Sequence, residues 1–254
     1  MNERVAARSW VEHIMGMPVS VHVRADNPGR GDIAEAVASV FADLRRADRI
    51  FSTWRPDSDV MRWRRGDLAL YAADPWFTEV QALCRVAETA TSGLFTTDLL
   101  GPDGSRGFDP TGLVKGWAVG RASAHLRAVD RISFSVNAAG DIICGLGVNS
   151  AQLAAPWRIG IEDPADPKQI ARVVSIATGA IATSGSYARG GHIIDPRSGR
   201  SVSRAYSVTV TGPELMWADI WATVAFVEPS ALRVRPEWDA YTLAVTPARL
   251  DASA

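Results

Sequence analysis

At 254 residues the chain is long enough to bury a sizeable core, as one large domain or two small ones. A net charge of -1, from 27 basic and 28 acidic residues, gives no basis for nucleic-acid binding. No run of about 18 apolar residues occurs, and the opening Met1-Asn-Glu-Arg leads into no apolar signal segment, so no membrane span and a cytoplasmic location are expected.

Residues 17–24 alternate Val19, Val21 and Val23 with Ser20, His22 and Arg24, the period of a half-buried strand. Pro28-Gly-Arg-Gly31 is a turn. From Asp32 a helical period runs through Ile33, Val37, Val40, Phe41 and Leu44 to about Phe51. Arg62-Trp-Arg-Arg65 reads as a solvated helix end. Asp74-Pro75 offers an N-cap with proline at the first helical position, and Gly93 a stop, so the pattern predicts a helix over 75–92. A third helix is expected from Lys115 to Leu126. Short strands follow at 132–137, 141–144, 157–161, 172–177 and 206–211. Pro213-Glu214 opens a fourth helix to about Val227, and 241–245 is a last strand. Helices and strands neither alternate strictly nor segregate, which favours an α+β fold with a mostly antiparallel sheet and packed helices. No repeat or low-complexity segment is visible, and one domain over 1–254 is expected. Neither GxGxxG nor GxxxxGK[ST] is present, so any nucleotide would be bound by another architecture.

Two further counts narrow the chemistry. Cys84 and Cys144 are the two cysteines; both sit in apolar surroundings and read as small core residues. Lys115 and Lys168 are the two lysines among 27 basic residues. A lysine in so arginine-rich a chain points to a need for a compact ammonium. Lys168, in the Pro164–Lys168 loop, reads as exposed; Lys115 falls at an expected helix start.

Three segments concentrate polar groups that are costly to bury unpartnered. Asp219 and Thr223 are four apart on the fourth helix and share a face with Leu215, Ala222 and Phe226. Their oxygens suit a hard cation, Mg2+ better than Zn2+; an Asp paired with Arg and a Thr bonded to its own helix would look the same. Phe108-Asp-Pro-Thr-Gly-Leu-Val-Lys115 leads from an acid through a glycine to a lysine at a helix start. That is a phosphate site, or a loop-to-helix junction with Asp109 as cap. His192 lies beside Gly190 and Gly191, and is either a satisfied structural residue or a catalyst.

These segments together resemble the ApbE family of FAD:protein FMN transferases. Gly179-Ala-Ile-Ala-Thr-Ser-Gly185, His192-Ile-Ile-Asp-Pro-Arg-Ser-Gly199 and Ala218-Asp-Ile-Trp-Ala-Thr223 match its "ATSG", "HIIDPRTG" and "ADALATA". Asp109 to Ala118 is similar to "DxGGIxKGxA", with Thr111 in place of the first glycine. His13-Ile-Met-Gly16, Phe51 to Asp59 ("FSxYxPxSE", with Asp59 for Glu), Ser92 to Thr96 ("GAFD", with Thr96 for Asp) and Asn137 to Asp141 ("NxGGD", with Ala139 for Gly) extend the resemblance over nearly the whole chain.

The resemblance implies an ApbE-like fold and a metal site from Asp219, Thr223 and the Gly112 carbonyl. It places Met15, Asp109, Lys115, the Leu94-Phe95-Thr96 stretch, His192 and Ile193 at the FAD. Trp54 would stack on a flavin or adenine ring, with burial in the core as its alternative. His192 would handle protons or hydrogen-bond the pyrophosphate, and both roles stay open; Asp219 is the second group assigned to catalysis. The implied reaction moves FMN from FAD to a Thr or Ser hydroxyl of an acceptor flavoprotein, with Mg2+, and releases AMP. FAD pyrophosphatase activity and a non-enzymatic flavin-binding scaffold are the alternatives.

Overall fold

The structure is a computed structural model that describes residues 5–100, 106–186, 193–234 and 239–248. Seven strands form one antiparallel sheet: β1 (Ala6–Ile14), β2 (Met17–Ala25), β5 (Ser133–Ala138), β6 (Asp141–Leu146), β9 (Gly179–Gly185), β12 (Tyr206–Gly212) and β13 (Thr242–Pro247), in that spatial order. Three small hairpins lie outside it: β3 (Asp98–Leu100) with β4 (Arg106–Phe108), β7 (Trp157–Glu162) with β8 (Ile170–Ile176), and β10 (Ile194–Asp195) with β11 (Arg200–Ser201). The helices are α1 (Gly31–Phe51), α2 (Asp59–Arg64), α3 (Pro75–Ala90), α4 (Thr111–Ala122), α5 (Ala124–Arg127) and α6 (Leu215–Val227). The expected α+β class, with a mostly antiparallel sheet and packed helices, is the architecture found.

The alternation read in β2 does what its period requires, since Val19, Val21 and Val23 are fully buried. Helix α1 buries Ile33, Val37, Val40, Phe41 and Leu44 along one stripe. Asp74 caps α3 through a hydrogen bond from the Trp76 amide at 2.9 Å and also pairs with Arg46 at 2.9 Å. Helix α6 is apolar on every side and buried accordingly, packing on β9 and β12 beneath it and on α4 beside it.

Gly116 sets the distance between α4 and α6. A Cβ there would lie 2.7 Å from Met216 Cα and 2.9 Å from the Leu215 carbonyl oxygen, so the helices meet at backbone distance because that side chain is absent.

Three expectations need correction. The third helix starts at Thr111 rather than Lys115, because Asp109 Oδ1 accepts the Thr111 amide hydrogen at 3.0 Å and starts the first turn early. It breaks at Ser123, whose hydroxyl bonds back to the Gly120 carbonyl at 2.7 Å, and α5 follows. Lys115 therefore projects from inside the helix, one turn after its start. Strands β1 and β9 and two of the small hairpins, β3–β4 and β10–β11, went unread, and α2 was read only as the helix end at Arg62–Arg65. The Arg62–Arg65 run is more than a solvated end. Arg64 Nε donates to the Phe108 carbonyl at 2.8 Å, and its guanidinium pairs with Asp109 at 3.4 Å.

Candidate active site

A cavity of about 680 Å³ opens where the β1–β2 turn, the chain after α1, the start of α4, and strands β6 and β9 converge beside α6. That volume lies within the roughly 300–1,000 Å³ typical of small-molecule sites.

Part of the cavity lining is aromatic and apolar. Met15 and Gly16 form the two-residue β1–β2 turn with φ of 57° and 72°, the positive values that a tight hairpin of type I′ requires. A methionine in that region is uncommon and places its side chain at the cavity wall. Leu94, Phe95 and Thr96 line the wall after α3, with the Phe95 amide held by the Thr91 hydroxyl at 3.0 Å. Trp54 lines the cavity and is 94% exposed, which removes the reading of it as a core aromatic.

Another part of the lining is charged. Asp219 and Thr223 of α6 both line the cavity, as their spacing on one helix face predicts. Gly112 and Lys115 reach it from α4, and Asp141 from the start of β6. The Lys115 ammonium forms an ion pair with Asp141 and lies 3.4 Å from Asp219 Oδ2. Both carboxylates are buried, Asp141 at 2% and Asp219 at 7% exposure. Asp141 Oδ1 accepts the Thr183 amide hydrogen at 3.2 Å, which fixes the direction of its other oxygen. Hydroxyls lie beside this charged set: Ser184 and Thr223 share a hydrogen bond at 3.2 Å, and Thr183 and Thr209 one at 2.9 Å.

Asp109 lines the cavity and also serves the junction. It accepts from the Thr111 amide at 3.0 Å and hydroxyl at 2.6 Å, and pairs with Arg64. Ile193 is buried at 6% and lines the cavity. His192 lies outside the described residues.

Asp141 is the residue that sequence reasoning quoted but did not assign. Its signal was the acid closing the Asn137–Asp141 segment. That segment is the β5–β6 turn, with Ala139 at φ 52° and Gly140 at 98°, and Asn137 Oδ1 accepts the Gly140 amide at 2.8 Å. Thr183 and Ser184 were likewise quoted within a motif without a role.

The donor set suits a hard cation. Among the described residues no three His, Cys, Asp or Glu side chains converge as metal ligands. The side-chain oxygens on offer are the Asp219 carboxylate and the Thr223 hydroxyl from α6, with Gly112 of α4 lining the same cavity. Among the described residues, two carboxylates stand against one ammonium in this buried cluster, a balance that a divalent cation would offset.

The ApbE family pattern matches residues 15–102 and 98–235. The chain belongs to the ApbE family. A curated relative, the FAD:protein FMN transferase of Klebsiella pneumoniae (strain 342), is 26% identical over 255 residues, covering 75% of this chain and 70% of that one. The fold recurs in the ApbE protein of Thermotoga maritima, with TM-score 0.77 at 19% identity over 96% of this chain and 97% of the other. It recurs in the flavin transferase ApbE of Vibrio cholerae, with TM-score 0.73 at 23% identity over 95% and 94%. The flavinyl transferase ApbE of Pseudomonas stutzeri gives 0.74 at 20% identity over 96% and 95%. No helix among the described residues is long and apolar enough to cross a membrane.

Proposed function

We propose that this ApbE-family chain is a Mg2+-dependent FAD:protein FMN transferase that joins FMN to a Thr or Ser hydroxyl of an acceptor protein. The observation that supports this best is the mixed lining of one cavity. Trp54 and Phe95 line the same cavity as a buried carboxylate–ammonium set of Asp141, Lys115 and Asp219. FAD carries the same two kinds of group, ring systems that stack and a pyrophosphate that carries charge.

Trp54, Met15, Leu94 and Phe95 bind and orient the rings. Lys115 gives the pyrophosphate a charge-assisted contact, in the range of about 1.5–3 kcal/mol. Asp219, Thr223 and the Gly112 carbonyl would hold Mg2+, which when bound offsets negative charge on the phosphates. The acceptor oxygen attacks the FMN phosphorus, the bond to the AMP oxygen breaks, and the hydroxyl proton leaves to a base. His192 is the group assigned to that proton or to holding the pyrophosphate, and Asp219 acts through the cation it would hold. The remaining work is positioning, since phosphoryl transfer depends on holding nucleophile and leaving group in line.

The test is product analysis with FAD, Mg2+ and candidate acceptor proteins. Flavin fluorescence retained on the acceptor in a denaturing gel, with AMP release accelerated by acceptor, is the expected result. Fast AMP release indifferent to every acceptor would make the protein an FAD pyrophosphatase, and intact FAD under all conditions a binding scaffold.

A further inference from the structure

The same ammonium that serves FAD already sits on the carboxylate assigned to the cation. Lys115 Nζ pairs with Asp141 and lies 3.4 Å from Asp219 Oδ2. Its backbone cannot move aside without opening the α4–α6 contact, because Gly116, next in sequence, packs against Met216 at backbone distance. Asp141 is fixed in turn by the Thr183 amide. The mobile part is the four-carbon stem of the lysine.

We propose that Lys115 competes with the divalent cation for Asp219, and that Asp141 is the positioning residue that keeps the ammonium there. This rests on the placement of the cation at Asp219 argued above. The charge balance gives the reason. Among the described residues, two carboxylates and one ammonium sum to -1. A divalent cation added at Asp219 would bring the sum to +1 and set two cations side by side in a buried site, where like charges repel strongly. The cation is accepted readily when the ammonium leaves Asp219, and an incoming pyrophosphate gives the ammonium a place to go. Cation and FAD therefore load as a coupled pair, each raising the affinity for the other. The choice of lysine fits this: its ammonium is a point charge on a flexible stem with rotatable donors, whereas an arginine fork would stay bidentate on a carboxylate.

The experiment measures Mn2+ binding to the full chain without FAD, by electron paramagnetic resonance of free Mn2+. Wild type is compared with Lys115→Met, Lys115→Gln, Lys115→Arg and Asp219→Asn, and thermal melts of the same samples establish that each is folded. Expected are Mn2+ affinities higher by about tenfold in both neutral variants, within the roughly 5–150-fold span of ligand couplings. Lys115→Arg keeps the charge and should bind no tighter than wild type, and Asp219→Asn should lose binding. A residue that only contacts FAD would leave Mn2+ affinity unmoved on neutralisation. Neutral variants at wild-type affinity or below, with binding still lost in Asp219→Asn, would overturn the competition and leave the cation reading standing. Wild-type Mn2+ affinity in Asp219→Asn would overturn the cation reading itself, and the competition with it. Two neutral variants of different shape guard against one that misfolds.

Discussion

Substituting Gly116 by alanine should destabilise the protein, and substituting Gly120, one turn later in the same helix, should stabilise it. At Gly116 the new Cβ would meet Met216 Cα at 2.7 Å and the Leu215 oxygen at 2.9 Å. Both are backbone atoms, so no side chain can rotate away and α4 must shift from α6. Overpacking of this kind costs about 1–3 kcal/mol. At about 2–4 °C per kcal/mol for a domain near this size, the melting temperature should fall by about 2–12 °C. At Gly120 a Cβ meets nothing within 4 Å, and alanine there gains the roughly 0.5–1 kcal/mol that glycine forfeits in a helix. Scanning calorimetry on the two variants gives opposite signs if the helices approach as described. There is a functional corollary. Lys115 and Asp219 are carried by the two helices that Gly116 lets touch, so Gly116→Ala should also lower FAD turnover at 25 °C, where the variant is still folded. Gly116→Ala melting at or above wild type would refute the backbone contact, and with it the geometry that joins Lys115 to Asp219.

Trp54→Ala should weaken FAD binding by about 1–3 kcal/mol, the usual worth of a base stacked on an aromatic ring, with the melting temperature unmoved because the side chain is 94% exposed; isothermal titration calorimetry and a thermal melt check both halves. Asp219→Asn should abolish Mg2+-dependent turnover while costing little stability, since removing a buried carboxylate also removes a desolvation cost; turnover measured against Mg2+ concentration decides it. Burial pushes the thiols of Cys84 and Cys144 up to about 12, so neither should react with a thiol reagent at pH 8 until the protein unfolds. Because the unfolded chain ionises these thiols near pH 9 while the fold keeps them protonated, they should make stability fall as pH rises from about 9 toward 12, which denaturant melts across that range would show.

What the sequence made legible follows from how local the signals are. The alternation of β2, the stripe of α1 and the Asp74-Pro75 cap are properties of consecutive residues, and each appears where expected. Strand β9 was invisible because both of its faces are covered: Ala180, Ile181 and Ala182 are all buried, so no polar alternation marks it. Strand β1 hid for the opposite reason, as an edge strand with few buried positions. At the site, Asp219 and Thr223 were legible from helical spacing alone. The charged cluster was not, because Lys115, Asp141 and Asp219 come from α4, β6 and α6 and meet only through the sheet order and the Gly116 contact. Trp54 could not be sorted from sequence, since an aromatic after a helix serves core and cavity equally well.

The four departures from the family pattern have a common physical character. Asp59 Oδ2 accepts the Asp74 amide at 3.0 Å, pinning α2 to the cap of α3. The Thr96 hydroxyl donates to Glu88 at 3.2 Å, and the Thr111 hydroxyl to Asp109 at 2.6 Å. Ala139 occupies the β5–β6 turn at φ 52°, a conformation glycine adopts without strain and alanine tolerates at a modest cost. Each departure thus lies in a supporting wall or turn, and none removes an oxygen or the ammonium from the set of Lys115, Asp141, Asp219 and Thr223. On the proposed mechanism the walls set how tightly FAD is held, and the charged set acts on the phosphorus centre. The natural variation in this chain therefore falls on ground-state binding. Restoring the family residue at 96 or 139 should shift FAD affinity more than the rate at saturation, because the groups that act on the transferring phosphoryl are unchanged.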